Sequence, residues 1–131
     1  MERPIALIPL LLAFSLPAMA ASLDISKLVG IWGNSEDGGK TFWGYDQYLA
    51  DGSTKSWGTV PNSEFSYEIE GRYEIKEKFG TLSCVTVTKT SAPALVPVGS
   101  RICDTLIDIN DKTFVFKSDE GEVTTLYRQS Q

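Results

Sequence analysis

Phe65-Ser66-Tyr67-Glu68-Ile69-Glu70-Gly71-Arg72-Tyr73-Glu74-Ile75-Lys76 puts an apolar or small residue at every odd position and a polar one at every even position. Side chains alternate faces along a strand, so this stretch predicts a β-strand with one buried and one wet face. On a helix the same apolar residues would scatter around the circumference. Working outward, similar short units are expected at residues 30–34, 42–50, 53–60, 65–77, 81–90, 98–109, 113–118 and 122–128. Asp51-Gly52 carries the strongest hairpin signal between them, because Gly tolerates the positive φ a tight turn needs. Phe79-Gly80, Asn110-Asp111 and Glu120-Gly121 serve the same purpose. The succession predicts an all-β fold, an eight-stranded antiparallel up-and-down barrel whose closure removes exposed edges. A two-sheet sandwich would show the same alternation. Ahead of the first strand, residues 23–28 suit one short helical turn capped by Asp24 or Ser26, with Leu23 and Leu28 covering one end of the barrel.

The chain has 131 residues and a net charge of −5. Residues 1–20 have the form of a secretory signal: Arg3, an apolar run from Ile5 to Leu16, and Ala18-Met19-Ala20 as the cleavage site. The run is too short to span a bilayer and is broken by Pro9 and Pro17. Cleavage near Ala20 would leave one domain, residues 21–131, secreted or periplasmic. Losing Glu2 and Arg3 leaves the charge at −5, which argues against nucleic acid and anionic lipid as partners. Two cysteines, Cys84 and Cys103, suit a disulfide in an exported domain. Closing their loop would stabilise by about 3 kcal/mol on the chain-entropy model. The alternatives are free thiols or a metal pair, and with no His and no third Cys a zinc site has almost no ligands.

Gly30-Ile31-Trp32 on the first strand and Arg128 in the last resemble the closing motif of the lipocalin-like (calycin) barrels. In that family a terminal Arg lies over the Trp of a Gly-x-Trp, a cation against an aromatic face at the barrel base. The resemblance implies structural roles for Gly30, Trp32 and Arg128 and an open end opposite them. The chain is shorter than a typical lipocalin and has no apolar segment suited to the helix that usually follows the barrel. It is most similar to small bacterial lipocalin-like domains and to barrel-shaped periplasmic inhibitors of secreted proteases.

In an up-and-down barrel alternate connections share an end. Residues 34–41, 61–64, 91–98 and 119–121 then surround the open mouth, while the turns at 51–52, 79–80 and 110–111 lie at the closed base. Binding tends to reside in such loops on a rigid scaffold. Asn34–Gly39 is flexible and acidic; Ser91–Val98 is apolar and stiffened by two prolines. Leu95 and Val96 either form a contact site or fold down to cap the barrel. Trp43, Tyr45 and Trp57, with Phe42 and Tyr48, form either an aromatic wall for a ligand or core filling, the latter favoured. Trp43 and Tyr45 are expected on one strand face, Phe42 and Tyr48 on the other.

If Cys84 and Cys103 lie directly opposite, Val85 faces Ile102 and Ser83 faces Asp104. Asp104 and Asp108 would then share a face with Ile102 and Leu106. Were that face interior, Asp104 would need a partner, and Arg72 and Arg101 are the available bases. Solvated acids are the simpler expectation. The acidic turns at 108–111 and 119–122 lack calcium-loop spacing, and no cofactor motif is present. Without His or a nucleophile motif, catalysis is not expected. The composition and the resemblance together point to a monomeric, non-enzymatic binding protein for a small apolar ligand held by Trp43, Tyr45, Trp57, Leu95 and Val96. The competing expectation is a protein-binding inhibitor of a secreted hydrolase, or an envelope stress factor.

Overall fold

The computed structural model describes residues 23–130, so the expected signal segment lies outside the described residues. Eight strands form a closed antiparallel barrel in sequence order: β1 (Gly30–Asn34), β2 (Gly44–Tyr48), β3 (Ser53–Thr59), β4 (Ser66–Glu77), β5 (Thr81–Thr90), β6 (Arg101–Ile109), β7 (Thr113–Lys117) and β8 (Val123–Arg128). Closure of β1 on β8 through Trp32↔Arg128 and Gly33↔Tyr127 excludes the sandwich. In β4 the polar residues at even positions from Ser66 to Lys76 are exposed, and Tyr67, Ile69, Gly71, Tyr73 and Ile75 turn toward the interior, as the alternation requires. β2 is shorter than the sequence suggests because residues 35–43 form a long connection before pairing begins at Asn34↔Gly44.

β5 and β6 pair with Cys84↔Cys103, Val85↔Ile102 and Ser83↔Asp104, and the two cysteines form a disulfide with Cα atoms 4.0 Å apart. Ladder bonds continue past the end of β6, with Ser100 O accepting from Val87 N at 2.8 Å. The face of Ile102, Asp104 and Leu106 is the interior one. A bulge between Leu106 and Asp108 then shifts the alternation, so Asp108 is exposed and Ile109 is buried. The expectation that both acids are solvated is therefore wrong for Asp104 and right for Asp108.

One end of the barrel is solid. Leu28, Trp32, Leu106, Ile109, Phe114 and Leu126 form the buried core, with Leu23, Ile25, Tyr48, Tyr73, Ile75 and Phe116 against it. Trp32 meets Phe114 edge-on at 5.4 Å between centroids. A 3-10 turn over Ile25–Leu28, capped by Asp24, brings Leu28 beneath the barrel, where its carbonyl accepts from Trp32 Nε1 at 2.9 Å. Arg128 closes the base from outside, its guanidinium carbon 4.1 Å from the Trp32 ring centroid. It donates to the carbonyls of Val29, Lys27, Asp111 and Asn110, joining the turn, the β6–β7 hairpin and the last strand. Gly30 makes room for it: its φ is +142°, and a Cβ there would lie 2.6 Å from Arg128 Nη1.

A lysine cannot reproduce the planar fork that reaches four carbonyls. Arg128→Lys is therefore expected to destabilise the domain by about 2–4 kcal/mol in urea unfolding, despite keeping the charge. A loss no larger than that of an ordinary surface substitution would show that the base does not depend on this contact.

Candidate functional site

The barrel is hollow above its solid base. Each strand sends alternate side chains inward, and in the upper half these are small, polar or set back from the axis. They leave a cavity of about 190 Å³ bounded by Asp46 and Tyr48 of β2, Ser56 of β3, Ile69 of β4, Val85 and Val87 of β5, and Asp104 of β6. Val96, from the 91–98 connection, forms its upper edge. Val96 and Ile69 also line a second, apolar pocket of about 230 Å³ at the mouth, with Trp43, Phe65, Tyr67, Ala92 and Leu95. Val96 thus stands between the mouth and the lumen.

The 91–98 connection is held firmly. Leu95 N and Val96 N both donate to Ala92 O, at 3.1 and 2.9 Å, and Ser91 Oγ accepts from Glu68 N at 2.8 Å. Both alternatives for this loop occur side by side: Val96 turns in over the barrel, while Leu95 remains 69% exposed. Tyr67 crosses the upper interior over two inward-facing glycines; a Cβ on Gly44 would lie 2.6 Å from its hydroxyl. Burial, then the charge of Asp46, pushes the Tyr67 hydroxyl up to about 12.

The connection expected to flank the mouth at 34–41 goes elsewhere. Asp37 accepts from Ser35 Oγ, Lys40 N, Thr41 N and Thr41 Oγ1 at 2.7–3.0 Å, and these bonds hold its carboxyl well below the usual range. Far from being slack, this connection is bound by its own side chains. It folds along the outer wall, where Phe42 covers Gly33 and a Cβ on Gly39 would press on the Tyr127 ring at 2.9 Å.

The expected ligand residues divide accordingly. Trp43, Leu95 and Val96 meet at the mouth. Tyr45 and Trp57 do not join them: they lie on the outer wall in a row running Tyr127, Phe42, Tyr45, Trp57, with centroids 6.3, 6.1 and 5.7 Å apart. The expected facial pairing also changes. Phe42 stacks with Tyr45 outside, whereas Tyr48 points inward onto Tyr73 and Phe114. Trp57 borders a separate depression of about 400 Å³ over β3, β4 and β5, whose cross-strand residues Lys55, Glu70 and Lys89 alternate in sign.

Sequence reasoning weighed an interior Asp104 but favoured solvation, and it missed Asp46. Asp46 shares the inward side of Trp32, its direct partner across β1 and β2. It accepts from Ser56 Oγ at 2.6 Å and Asn34 Nδ2 at 3.1 Å, but burial outweighs these bonds and raises its pKa. Asp104 occupies the opposite wall. Burial, then the charges of Asp119 and Asp46, pushes it up to about 6. Neither expected base serves it: Arg72 donates to Asp51 O, and Arg101 lies 3.7 Å from Glu74 on the exterior. Burial foremost, with Asp46 nearby, raises the Tyr48 hydroxyl as well. Beside it lies the buried Ser83 hydroxyl, which eases the Tyr48 shift but completes no hydrogen bond of ordinary length and angle. The signal available in the sequence was the parity of Asp46 with Gly44 and Tyr48; using it required the β1–β2 register, which a nine-residue connection at 35–43 leaves free.

Comparison with protein-family models, curated proteins and solved structures finds no match to this chain. Among the described residues no helix is long and apolar enough to cross a membrane.

A carboxyl whose folded pKa lies above its unfolded value binds its proton more tightly when folded. Stability from Asp104 is therefore present at low pH and lost as pH rises from its ordinary 3.8 through about 6. Asp104→Asn removes that loss. The variant is expected to melt higher than the parent above pH 6 and to lose this advantage as pH falls toward 3.8. An advantage independent of pH would contradict the placement of Asp104 in the lumen.

Proposed function

We propose that the protein is an exported, non-enzymatic carrier of a small, largely apolar ligand, which enters at the 91–98 end and rests in the mouth pocket above the lumen. The observation that carries this reading is that the apolar pocket of Trp43, Tyr67, Leu95 and Val96 adjoins the hollow upper barrel, with Ile69 and Val96 lining both. A concave apolar site with a few convergent polar groups is the usual form of a small-molecule site. The sealed base leaves this end as the way in. The disulfide suits an oxidising compartment, and the Gly30-x-Trp32…Arg128 closure agrees with the lipocalin-like resemblance.

The neutral fluorophore N-phenyl-1-naphthylamine is expected to brighten on binding the mature domain. Trp43→Ala should weaken that binding by at least about tenfold through lost apolar contact. Trp57→Ala, on the outer wall, should leave it unchanged. Equal losses in the two variants, or no brightening with the parent protein, would overturn the reading.

A second reading has its own observation. Leu95 and Val98 are 69% and 63% exposed on a proline-stiffened connection, an apolar tip suited to a protein partner. On that reading the protein inhibits a secreted protease, and Leu95→Ser with Val98→Ser abolishes inhibition. An inhibitory protein indifferent to both changes would count against this tip.

A further inference from the structure

We infer that the ligand is a small amphiphilic amine, its ammonium head lowered into the lumen between Asp104 and Asp46 and its apolar tail left under Trp43 and Val96. This rests on the carrier reading and specifies the chemistry of the same site.

Three observations carry it. The lumen holds two carboxylates on facing walls, β2 and β6 being diametrically opposed in an eight-stranded barrel. Among the described residues neither has an ion-pair partner: the ion pairs are Lys27–Asp111, Lys76–Glu74 and Arg101–Glu74, all away from the lumen. Arg128, the cation nearest the core, is committed to the base. A carboxylate drawn out of water with no cation beside it is destabilising relative to an apolar residue of like volume. An incoming cation would offset that cost.

The third observation is the Ser83 hydroxyl. Ser83 is only 3% exposed and pairs directly with Asp104 on the inward face, yet its Oγ, beside the Tyr48 hydroxyl, completes no hydrogen bond of ordinary geometry. A buried polar atom without a well-formed bond is uncommon and has capacity for a further partner. An ammonium brings three donors, enough for Asp104 and Ser83, direct partners across β5 and β6, with the charge of Asp46 facing it from the opposite wall.

The chemistry favours an organic cation over a metal ion. No three metal-binding side chains gather among the described residues, whereas hard divalent cations demand six or more oxygens. Size agrees as well. A lumen of about 190 Å³ is smaller than pockets for drug-sized molecules, and the adjoining 230 Å³ at the mouth is apolar and accepts a short chain.

The test compares n-hexylammonium with 1-hexanol, equal in length and different in charge, by titration calorimetry on the mature protein at neutral pH. The ammonium is expected to bind at least about tenfold more tightly than the alcohol, the range measured for close desolvated charge pairs. Asp104→Asn should erase that preference, and Asp46→Asn should reduce it. Hexanol binding as well as the ammonium, or a preference that survives both substitutions, overturns the amine inference and leaves the carrier reading in place. Failure of both compounds and of the naphthylamine to bind overturns the two together.

Discussion

The Arg128–Trp32 contact determines what the rest of the barrel can do. Antiparallel closure alone would give a tube open at both ends. Here one guanidinium stacks on the innermost indole and gathers four carbonyls from two segments, residues 27–29 and 110–111. The 3-10 turn is thereby pinned with Leu28 under Trp32, and the lower interior fills with Phe114, Leu126, Ile109 and Leu106. A solid lower half gives the upper half a floor. Only with that floor does the remaining space become a site with one entrance.

The upper half follows a different logic. A domain of this size has little apolar surface to spare for its core. Even so, its upper interior carries Asp46, Asp104, Tyr48, Thr54 and Ser56, and leaves the Ser83 hydroxyl without a well-formed bond. Apolar residues of the same volume would pack more stably. Polar groups held at such a cost inside a rigid wall are typical of binding sites, where side chains await a partner that replaces water. The Cys84–Cys103 bridge on the adjoining strands, together with the bonded 91–98 connection, keeps that wall fixed. Little rearrangement is then needed on binding.

Much of the architecture was legible in the sequence, and the limits have physical causes. The alternation in β4 determined strand type and buried face, and pairing Cys84 with Cys103 gave the β5–β6 register residue for residue. Which side of that hairpin faced inward was not legible, since Cys103-Ile107-Ile109 and Ile102-Leu106 are both apolar sets. The bulge at 106–108 lets both be partly right: it carries Leu106 and Ile109 inward together despite their odd separation. Leu95 and Val96 lie at the mouth as strand order alone requires, whereas Trp43, expected within a strand at 42–50, reaches the mouth from the connection before β2. Tyr45 and Trp57 were misplaced because their side of the sheet depends on the β1–β2 register. The same register hides Asp46. A carboxylate in a strand resembles a solvated one until its neighbours across the ladder are known.

The central claim is that Asp46 and Asp104 face a desolvated lumen that no cation among the described residues enters. Its most direct test is a pH titration of the aspartate side-chain carboxyl ¹³C shifts in the mature protein. The account requires Asp104 to titrate near 6, Asp46 to titrate above the ordinary carboxylate range, and Asp37 below it. Ordinary midpoints for both Asp46 and Asp104 would mean that water reaches them freely, and the lumen described here would not exist in solution.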